Sequence, residues 1–130
     1  AFGKGADRYG LVHADMRLAN LLIEGERTTL IDFDDCGLGW FLYDAGTAVS
    51  FFVHKPEVPE LMEAWKEGYR RVRPLSKADE DEIWTFILLR RMTLFAWMGS
   101  HAETDLAKQE GPAYCVGTCE MAEKYLSRYG

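Results

Sequence analysis

The stretch HADMRLAN at residues 13–20 and the stretch LIDFDD at residues 30–35 decide the fold of this chain. Between them lie two short apolar runs that flank the polar tetrad EGER at residues 24–27. Runs of this kind on either side of a turn predict a small β-hairpin. Because antiparallel pairing brings the two outer ends of a hairpin together, we expect Asn20 and Asp32 to lie close to each other.

The side chains in these two stretches suit phosphoryl transfer to a hydroxyl group. That reaction passes through a loose transition state, so positioning and charge neutralisation supply most of its catalysis. Asp15 is the candidate base that accepts the proton of the hydroxyl. The amide oxygen of Asn20 and the carboxylate of Asp32 are candidate ligands of a metal that bridges the phosphates. Arg17 is a candidate for contacting the transferred phosphate, with a surface ion pair as the alternative.

Each of these residues also has a plainer structural explanation. Asp15 and Asn20 could form an Asx turn and a helix cap after a buried strand, and Asp32 could be a turn residue at the end of a strand. Asp34 is a candidate metal ligand, but a solvated turn acid is an equally good interpretation of it. His13 is predicted to be a hydrogen-bonded core residue rather than a proton shuttle.

Three segments together resemble a known family: HADMRLANLL at 13–22, LIDFDD at 30–35 and WFLYDAG at 40–46. They are similar to the C-terminal catalytic portion of the aminoglycoside phosphotransferase and choline kinase superfamily, which is distantly related to protein kinases. The resemblance implies an α+β fold that is predominantly α. It would be a kinase-like C-terminal lobe in which a small β-hairpin surrounds the catalytic and metal-binding segments and a bundle of helices follows.

The same resemblance implies two cofactors, ATP and Mg²⁺, and roles for individual residues. Asp15 would be the catalytic base, and Asn20 and Asp32 would hold the nucleotide through Mg²⁺. His13 would brace the catalytic loop, and Asp44 would fix the local backbone rather than take part in the chemistry.

Within the superfamily, the doubled acid of IDFDD and the segment LRRMTLFAW at 89–97 are most similar to bacterial homoserine-kinase-like and stress-response-kinase-like members. Family members carry a phosphate-covering loop, a strand lysine with its helix glutamate, and an adenine-binding hinge before the catalytic loop, and this chain has none of these. We therefore expect residues 1–130 to form a single domain, the C-terminal lobe of a phosphotransferase without its nucleotide-binding lobe.

The function implied for the full-length protein is transfer of the γ-phosphoryl group of ATP to a hydroxyl of a small molecule. The lobe alone is expected to be inactive. The alternatives are a kinase-like regulatory or binding remnant without catalysis, and a protein Ser/Thr kinase of the same superfamily.

Composition argues against several other classes of protein. Of the 130 residues, 48% are hydrophobic and 13% are aromatic, which predicts a folded domain rather than a disordered chain. The net charge of −6, from 15 basic and 21 acidic residues, argues against a nucleic-acid partner. No apolar run is long enough to span a bilayer, so we expect a cytoplasmic protein with no membrane partner. The odd set of Cys36, Cys115 and Cys119 predicts reduced, buried thiols rather than a disulfide framework.

The rest of the chain is predicted to be mainly helical, with residues 41–54 mostly buried. Helices are expected from about residue 58 to 72, from 76 to about 100 and from about 114 to 128, with a polar loop at 103–112. Arg90 and Arg91 are expected to be helix-surface arginines, with pairing to acids of the catalytic region as the alternative. The face that would meet the missing lobe is expected to be apolar and exposed, which predicts self-association.

Overall fold

The computed structural model describes residues 2–130. Two small sheets occupy the first third of the chain and helices occupy the rest, which confirms the predicted fold that is α+β and predominantly α. The strands are β1 (Tyr9–Val12), β2 (Leu21–Glu24), β3 (Arg27–Leu30) and β4 (Gly37–Trp40), with a short 3₁₀ turn at Leu18–Asn20. The helices are α1 (Tyr43–Ala48), α2 (Val58–Arg70), α3 (Lys77–Asp81), α4 (Ile83–Ser100) and α5 (Asp105–Tyr129).

The predicted hairpin is formed by β2 and β3, which pair antiparallel with Leu21 opposite Leu30. Its turn is tighter than the expected tetrad, because Glu24 and Arg27 are themselves paired. Gly25 has a φ of +60°, a conformation that glycine adopts at little cost and that a two-residue hairpin turn requires. The hairpin therefore ends with Asn20 and Ile31 side by side.

The second sheet joins β1 to β4, also antiparallel, with Val12 opposite Gly37. The chain leaves β1 directly into the HADMR segment and leaves β4 directly into α1. This pairing therefore sets the start of α1 beside the segment that contains the candidate base.

Helix α1 crosses α4 at close range. A β-carbon at Gly46 would lie 2.6 Å from the carbonyl oxygen of Phe86, so only glycine fits at this crossing. The main core surrounds the crossing and is closed by α2; its buried members are Leu42, Ala45, Val49, Val58, Met62, Ile83, Phe86 and Ile87. Burial of these side chains is the principal force that holds α1 and α4 together.

Two of the predicted helix boundaries are wrong. The helix expected from Ser76 to about residue 100 is divided into α3 and α4, because the N–H of Glu82 donates to the carbonyl of Asp79 in a tighter turn. Its predicted start is confirmed, since the Ser76 hydroxyl accepts a hydrogen bond from the Asp79 N–H at 3.1 Å.

The polar loop expected at 103–112 is also wrong, because α5 already begins at Asp105. Its N-cap is Thr104, whose hydroxyl accepts from the N–H of Ala107 at 3.3 Å. Pro112 lies inside the helix. Packing of the buried Ala107 and Tyr114 against α4 favours the helix on both sides of this proline and outweighs its missing N–H.

The cysteines are free, as expected, but their predicted burial is wrong. Cys36 and Cys119 are exposed and Cys115 is half-buried. Cys36 lies just before β4, and the other two lie in α5. Within residues 2–130, no helix has the length and apolar character needed to cross a membrane.

Candidate functional site

The loop after β1 is held by hydrogen bonds to side chains of α1. The Asp44 carboxylate accepts hydrogen bonds from the backbone N–H groups of His13 at 3.0 Å and Ala14 at 2.8 Å. The hydroxyl of Thr47, one turn further along α1, accepts from the N–H of Met16 at 3.0 Å. Buried backbone N–H groups require partners, and α1 provides three of them here. The loop conformation is therefore fixed by the helix that follows β4.

The His13 imidazole ties this loop to the end of the hairpin. Its Nδ1 accepts from the N–H of Asp15 at 3.2 Å, which places the ring proton on Nε2. Nε2 then donates to the carbonyl of Ile31 at 3.0 Å, and the ring packs on Phe33 with 4.8 Å between centroids. His13 is buried and both of its ring nitrogens are hydrogen-bonded to the backbone, which is the geometry of a structural residue.

Two residues of the site have positive φ angles, although neither is glycine. Ala14 has a φ of +66° and Asp32 a φ of +65°. The left-handed conformation costs about 1–2 kcal/mol for a residue with a β-carbon. Such strain persists only where the surroundings impose it, and it concentrates at functional sites.

The Asp15 carboxylate lies at the centre of a polar network and is largely buried. Its Oδ1 accepts a hydrogen bond from Nη2 of Arg90 at 2.5 Å. Its Oδ2 accepts from Nε of Arg17 and from Nδ2 of Asn20, both at 3.0 Å. Both carboxylate oxygens are thus oriented by three donors, two from the segment that contains Asp15 and one from α4.

Asn20 is oriented with its amide nitrogen towards Asp15. Nδ2 donates to the backbone carbonyl of Asp15 at 2.8 Å as well as to its carboxylate, so both of its N–H groups are used and Oδ1 is left as an acceptor. The backbone carbonyl of Asn20 accepts from the N–H of Ile31 at 3.0 Å. Asp32 is the next residue along the chain, so the hairpin brings the two predicted ligands to the same end.

A cleft of about 530 Å³ opens above this network. One wall comes from the loop after β1 and the hairpin end, and the other comes from α1, α4 and the start of α5; the lining residues are Ala14, Asp15, Arg17, Asp32, Asp35, Tyr43, Phe51, Arg90, Thr93, Leu94, Trp97 and Leu106. Three carboxylates and two guanidinium groups face it. Of the two acids after Phe33, Asp35 lines the cleft and Asp34 does not.

The sequence did not predict the environment of Arg90 and Arg91, which were expected on the helix surface. Both are buried, with exposures of 9% and 6%. The alternative, pairing with an acid of the catalytic region, is confirmed for Arg90 by its contact with Asp15. The sequence did contain an indication of this burial, because α4 is apolar on all sides and such helices are usually buried.

Arg91 points the other way and joins α4 to α5. Its Nε donates to the Thr118 hydroxyl at 2.9 Å and its Nη2 to the Tyr114 carbonyl at 3.1 Å. Burial raises the pKa of the Tyr114 phenol above its ordinary value, and the hydroxyl donates to the carbonyl of Ser50 at 3.3 Å. The sequence also did not predict the hydrogen bonds that Thr47 and Ser50 make at the site, although Asp44, Thr47 and Ser50 are spaced three residues apart.

The donor atoms at the hairpin end fit a divalent cation with a preference for oxygen. The Asn20 amide oxygen is uncommitted, and within residues 2–130 neither Asp32 nor Asp35 is in an ion pair. The same residues contain no cluster of three or more His, Cys, Asp or Glu side chains that could hold a metal unaided. Mg²⁺ needs no such cluster, since it is commonly held by one or two carboxylates together with substrate phosphates.

The sequence and the structure are similar to known proteins. Residues 3–80 match the APH phosphotransferase enzyme family. Amicoumacin kinase of Bacillus subtilis (strain 168) is 33% identical over 101 residues, which cover 71% of this chain and 30% of that protein.

Two solved structures have the same arrangement of elements. A microcompartment-associated aminopropanol kinase is 51% identical with a TM-score of 0.87, and the match covers 97% of this chain and 40% of that one. An amicoumacin kinase in complex with AMP-PNP, Ca²⁺ and Ami is 27% identical with a TM-score of 0.71, covering 91% of this chain and 38% of that one. The chain thus spans well under half the length of these relatives. On the family match and the network around Asp15, the chain belongs to the phosphotransferase enzyme family.

Proposed function

We propose that the complete protein transfers the γ-phosphoryl group of ATP to a hydroxyl of a small molecule, and that residues 1–130 are its catalytic C-terminal lobe. The observation that carries this proposal is the largely buried Asp15 carboxylate at the base of an acidic and aromatic cleft, beside Asn20 and Asp32. The similar proteins reported above are kinases, and the structure of one of them contains AMP-PNP, an ATP analogue.

In this mechanism the acceptor hydroxyl lies in the cleft against Asp15. The carboxylate takes the hydroxyl proton as the acceptor oxygen forms its bond to the γ-phosphorus, and the bond from that phosphorus to the departing ADP oxygen breaks. Arg17 is half-exposed and contacts Asp15 only through Nε, so its remaining N–H groups are free to meet the transferred phosphoryl group. Movement of the Arg17 guanidinium group away from Oδ2 of Asp15 would leave that oxygen free to accept the proton of the acceptor hydroxyl.

Asn20 and Asp32 would hold Mg²⁺ through their oxygens. Of the two further acids we favour Asp35 over Asp34 as a supporting group, because only Asp35 lines the cleft. When bound, Mg²⁺ neutralises phosphate charge that would otherwise repel these carboxylates. His13 and Asp44 keep the loop in place and have no part in the bond changes.

The acceptor that the cleft fits best is a small amino alcohol. The 51% identical relative is an aminopropanol kinase. Carboxylates outnumber guanidinium groups in the lining of the cleft, and both guanidinium groups are already paired with Asp15. A protonated amine would lie against the faces of the Tyr43 and Trp97 rings in the same lining.

The test is an assay of phosphate transfer from ATP by the complete protein, with aminopropanol and propanediol as matched acceptors. We expect transfer to aminopropanol to be strongly preferred over transfer to propanediol. Transfer to neither compound, or an equal preference, would contradict the amino alcohol assignment.

Two further measurements separate the alternatives. Radioactive phosphate that appears in protein rather than in the small molecule would favour a protein Ser/Thr kinase. Absence of Mg²⁺-dependent nucleotide binding by calorimetry would favour a regulatory or binding remnant.

A further inference from the structure

We infer that Arg90 is a positioning residue that fixes the candidate base against the acceptor wall of the cleft. This inference rests on the proposed function, since it assigns Arg90 a task in that reaction. Arg90 lies in the middle of α4 and 75 residues from Asp15 in sequence.

Each of the three nitrogens of the Arg90 guanidinium group donates a hydrogen bond to the protein. Nη2 donates to Oδ1 of Asp15, Nη1 to the carbonyl of Ala14 at 3.3 Å, and Nε to the hydroxyl of Ser50 at 3.2 Å. It thus holds both the carboxylate and the backbone of the strained residue before it. Because its bonds are directed into the fold, Arg90 acts on the reaction through Asp15.

Helix α4 presents one face to the cleft, and Arg90 belongs to that face. Thr93, Leu94 and Trp97 follow it at intervals of three, four and seven residues, the spacing of neighbours along one side of a helix, and all four line the cleft. The helix that forms the acceptor wall is therefore the same rigid body that holds the base. Any acceptor resting on this wall meets Asp15 at a distance set by the Arg90 contact.

Arg17 provides the contrast. It belongs to the same loop as Asp15 and its side chain is 36% exposed, whereas that of Arg90 is 11% exposed. Its guanidinium group lies 5.8 Å from the ring centroid of Phe51 and has no second hydrogen bond to the protein within residues 2–130. Arg17 is the cation that can move in the reaction, and Arg90 is the one that stays.

The experiment compares Arg90→Lys and Arg90→Gln with Arg91→Lys in the complete protein, using ATP and aminopropanol. Lysine keeps the charge but cannot hold three acceptors in a plane, and glutamine removes the charge. Misplacement of a reacting group by about 1 Å can cost about 100-fold, so we expect a fall of that order in kcat for Arg90→Gln, with KM for ATP little changed. The kcat of Arg90→Lys should lie between that of Arg90→Gln and that of the wild type.

Arg91→Lys is the matched control, because Arg91 is the next residue, equally buried, and bonded to α5 rather than to the loop. It should lower the melting temperature and leave kcat close to that of the wild type. Addition of guanidinium ion to Arg90→Ala should restore part of the lost kcat, whereas urea should not.

Three results would overturn the inference: wild-type kcat in Arg90→Gln, equal losses of kcat in Arg90→Lys and Arg91→Lys, or no difference between guanidinium and urea. If Arg90→Gln or Arg90→Ala fails to fold, the comparison of the two lysine variants decides. A wild-type protein without transferase activity would instead refute the proposed function.

Discussion

Asp44 illustrates at the scale of single residues how the site is built from backbone as much as from reactive side chains. Its carboxylate accepts from two successive N–H groups, those of His13 and Ala14, and so stabilises the left-handed conformation at Ala14. Two donors on one carboxylate match its charge and geometry, and a neutral amide can accept only through one oxygen.

We therefore predict that Asp44→Asn lowers the free energy of unfolding by about 2 kcal/mol, because one buried N–H would face an amide NH₂ instead of an acceptor. Denaturant unfolding of this chain measures the change. Asp81→Asn is the control, since Asp81 is exposed and its ion pair with Lys77 lies at the surface. Equal stability of the two variants would contradict the role of the Asp44 carboxylate.

Prediction from sequence succeeded for residues whose spacing is local and failed for those whose partners are distant. Asp15, Asn20 and Asp32 lie within one loop and one hairpin, and the structure brings them to one end of that hairpin. Arg90 reaches Asp15 only because α4 crosses α1, and the angle and depth of that crossing depend on the whole core. The roles of these four residues in catalysis are proposals.

At the scale of elements, the crossing of α1 and α4 is the contact on which the site depends. Gly46 permits it, since a β-carbon there would lie 2.6 Å from the Phe86 carbonyl oxygen and 3.2 Å from Cβ of Arg90. A backbone oxygen cannot turn aside as a flexible side chain can. Separation of the helices would also pull Arg90 away from Asp15.

We predict that Gly46→Ala costs about 1–3 kcal/mol of stability through overpacking and lowers kcat of the complete protein as well. Gly68→Ala in α2 is the matched substitution, because a β-carbon there meets nothing within 4 Å. It should be neutral or stabilising by up to about 1 kcal/mol, as expected for glycine in a helix interior. Thermal unfolding distinguishes the two, and a stable Gly46→Ala variant would refute the close crossing.

The elements also show where sequence patterns are least reliable. The hairpin was predicted because Gly25 and the flanking apolar runs act locally. The start of α5 was not, because the pair of Gly111 and Pro112 indicates a loop, while the cap at Thr104 and the packing of Tyr114 on α4 favour a helix. Tertiary burial outweighed local propensity there.

At the scale of the whole molecule, the chain exposes apolar side chains on its sheets. Leu11 and Leu38 face each other across the β1–β4 pair and are 72% and 74% exposed, and Ile23 on the hairpin is 73% exposed. Cross-strand partners lie on the same face of a sheet, so the two leucines form one patch. Large exposed apolar patches mark surfaces that bind protein, and this pair of leucines is the candidate contact surface of the chain.

We predict that this chain self-associates through that patch, which would make the sedimentation coefficient rise with concentration. Leu11→Lys should weaken association, because a charge would have to be buried in the contact. Leu126→Lys, a change of equal charge on the exposed side of α5, should leave it unaffected. A monomer at every concentration, or an equal effect of the two substitutions, would refute the prediction.

The central claim is that Asp15 is the base of a phosphoryl transfer, and Asp15→Asn in the complete protein tests it most directly. Asparagine keeps the size of the side chain but cannot accept the hydroxyl proton, so kcat for transfer from ATP to aminopropanol should fall by about 100-fold or more. Asp7→Asn, at an exposed position, should retain full activity, and both variants should remain folded by circular dichroism. A folded Asp15→Asn variant with most of the wild-type kcat would contradict the account.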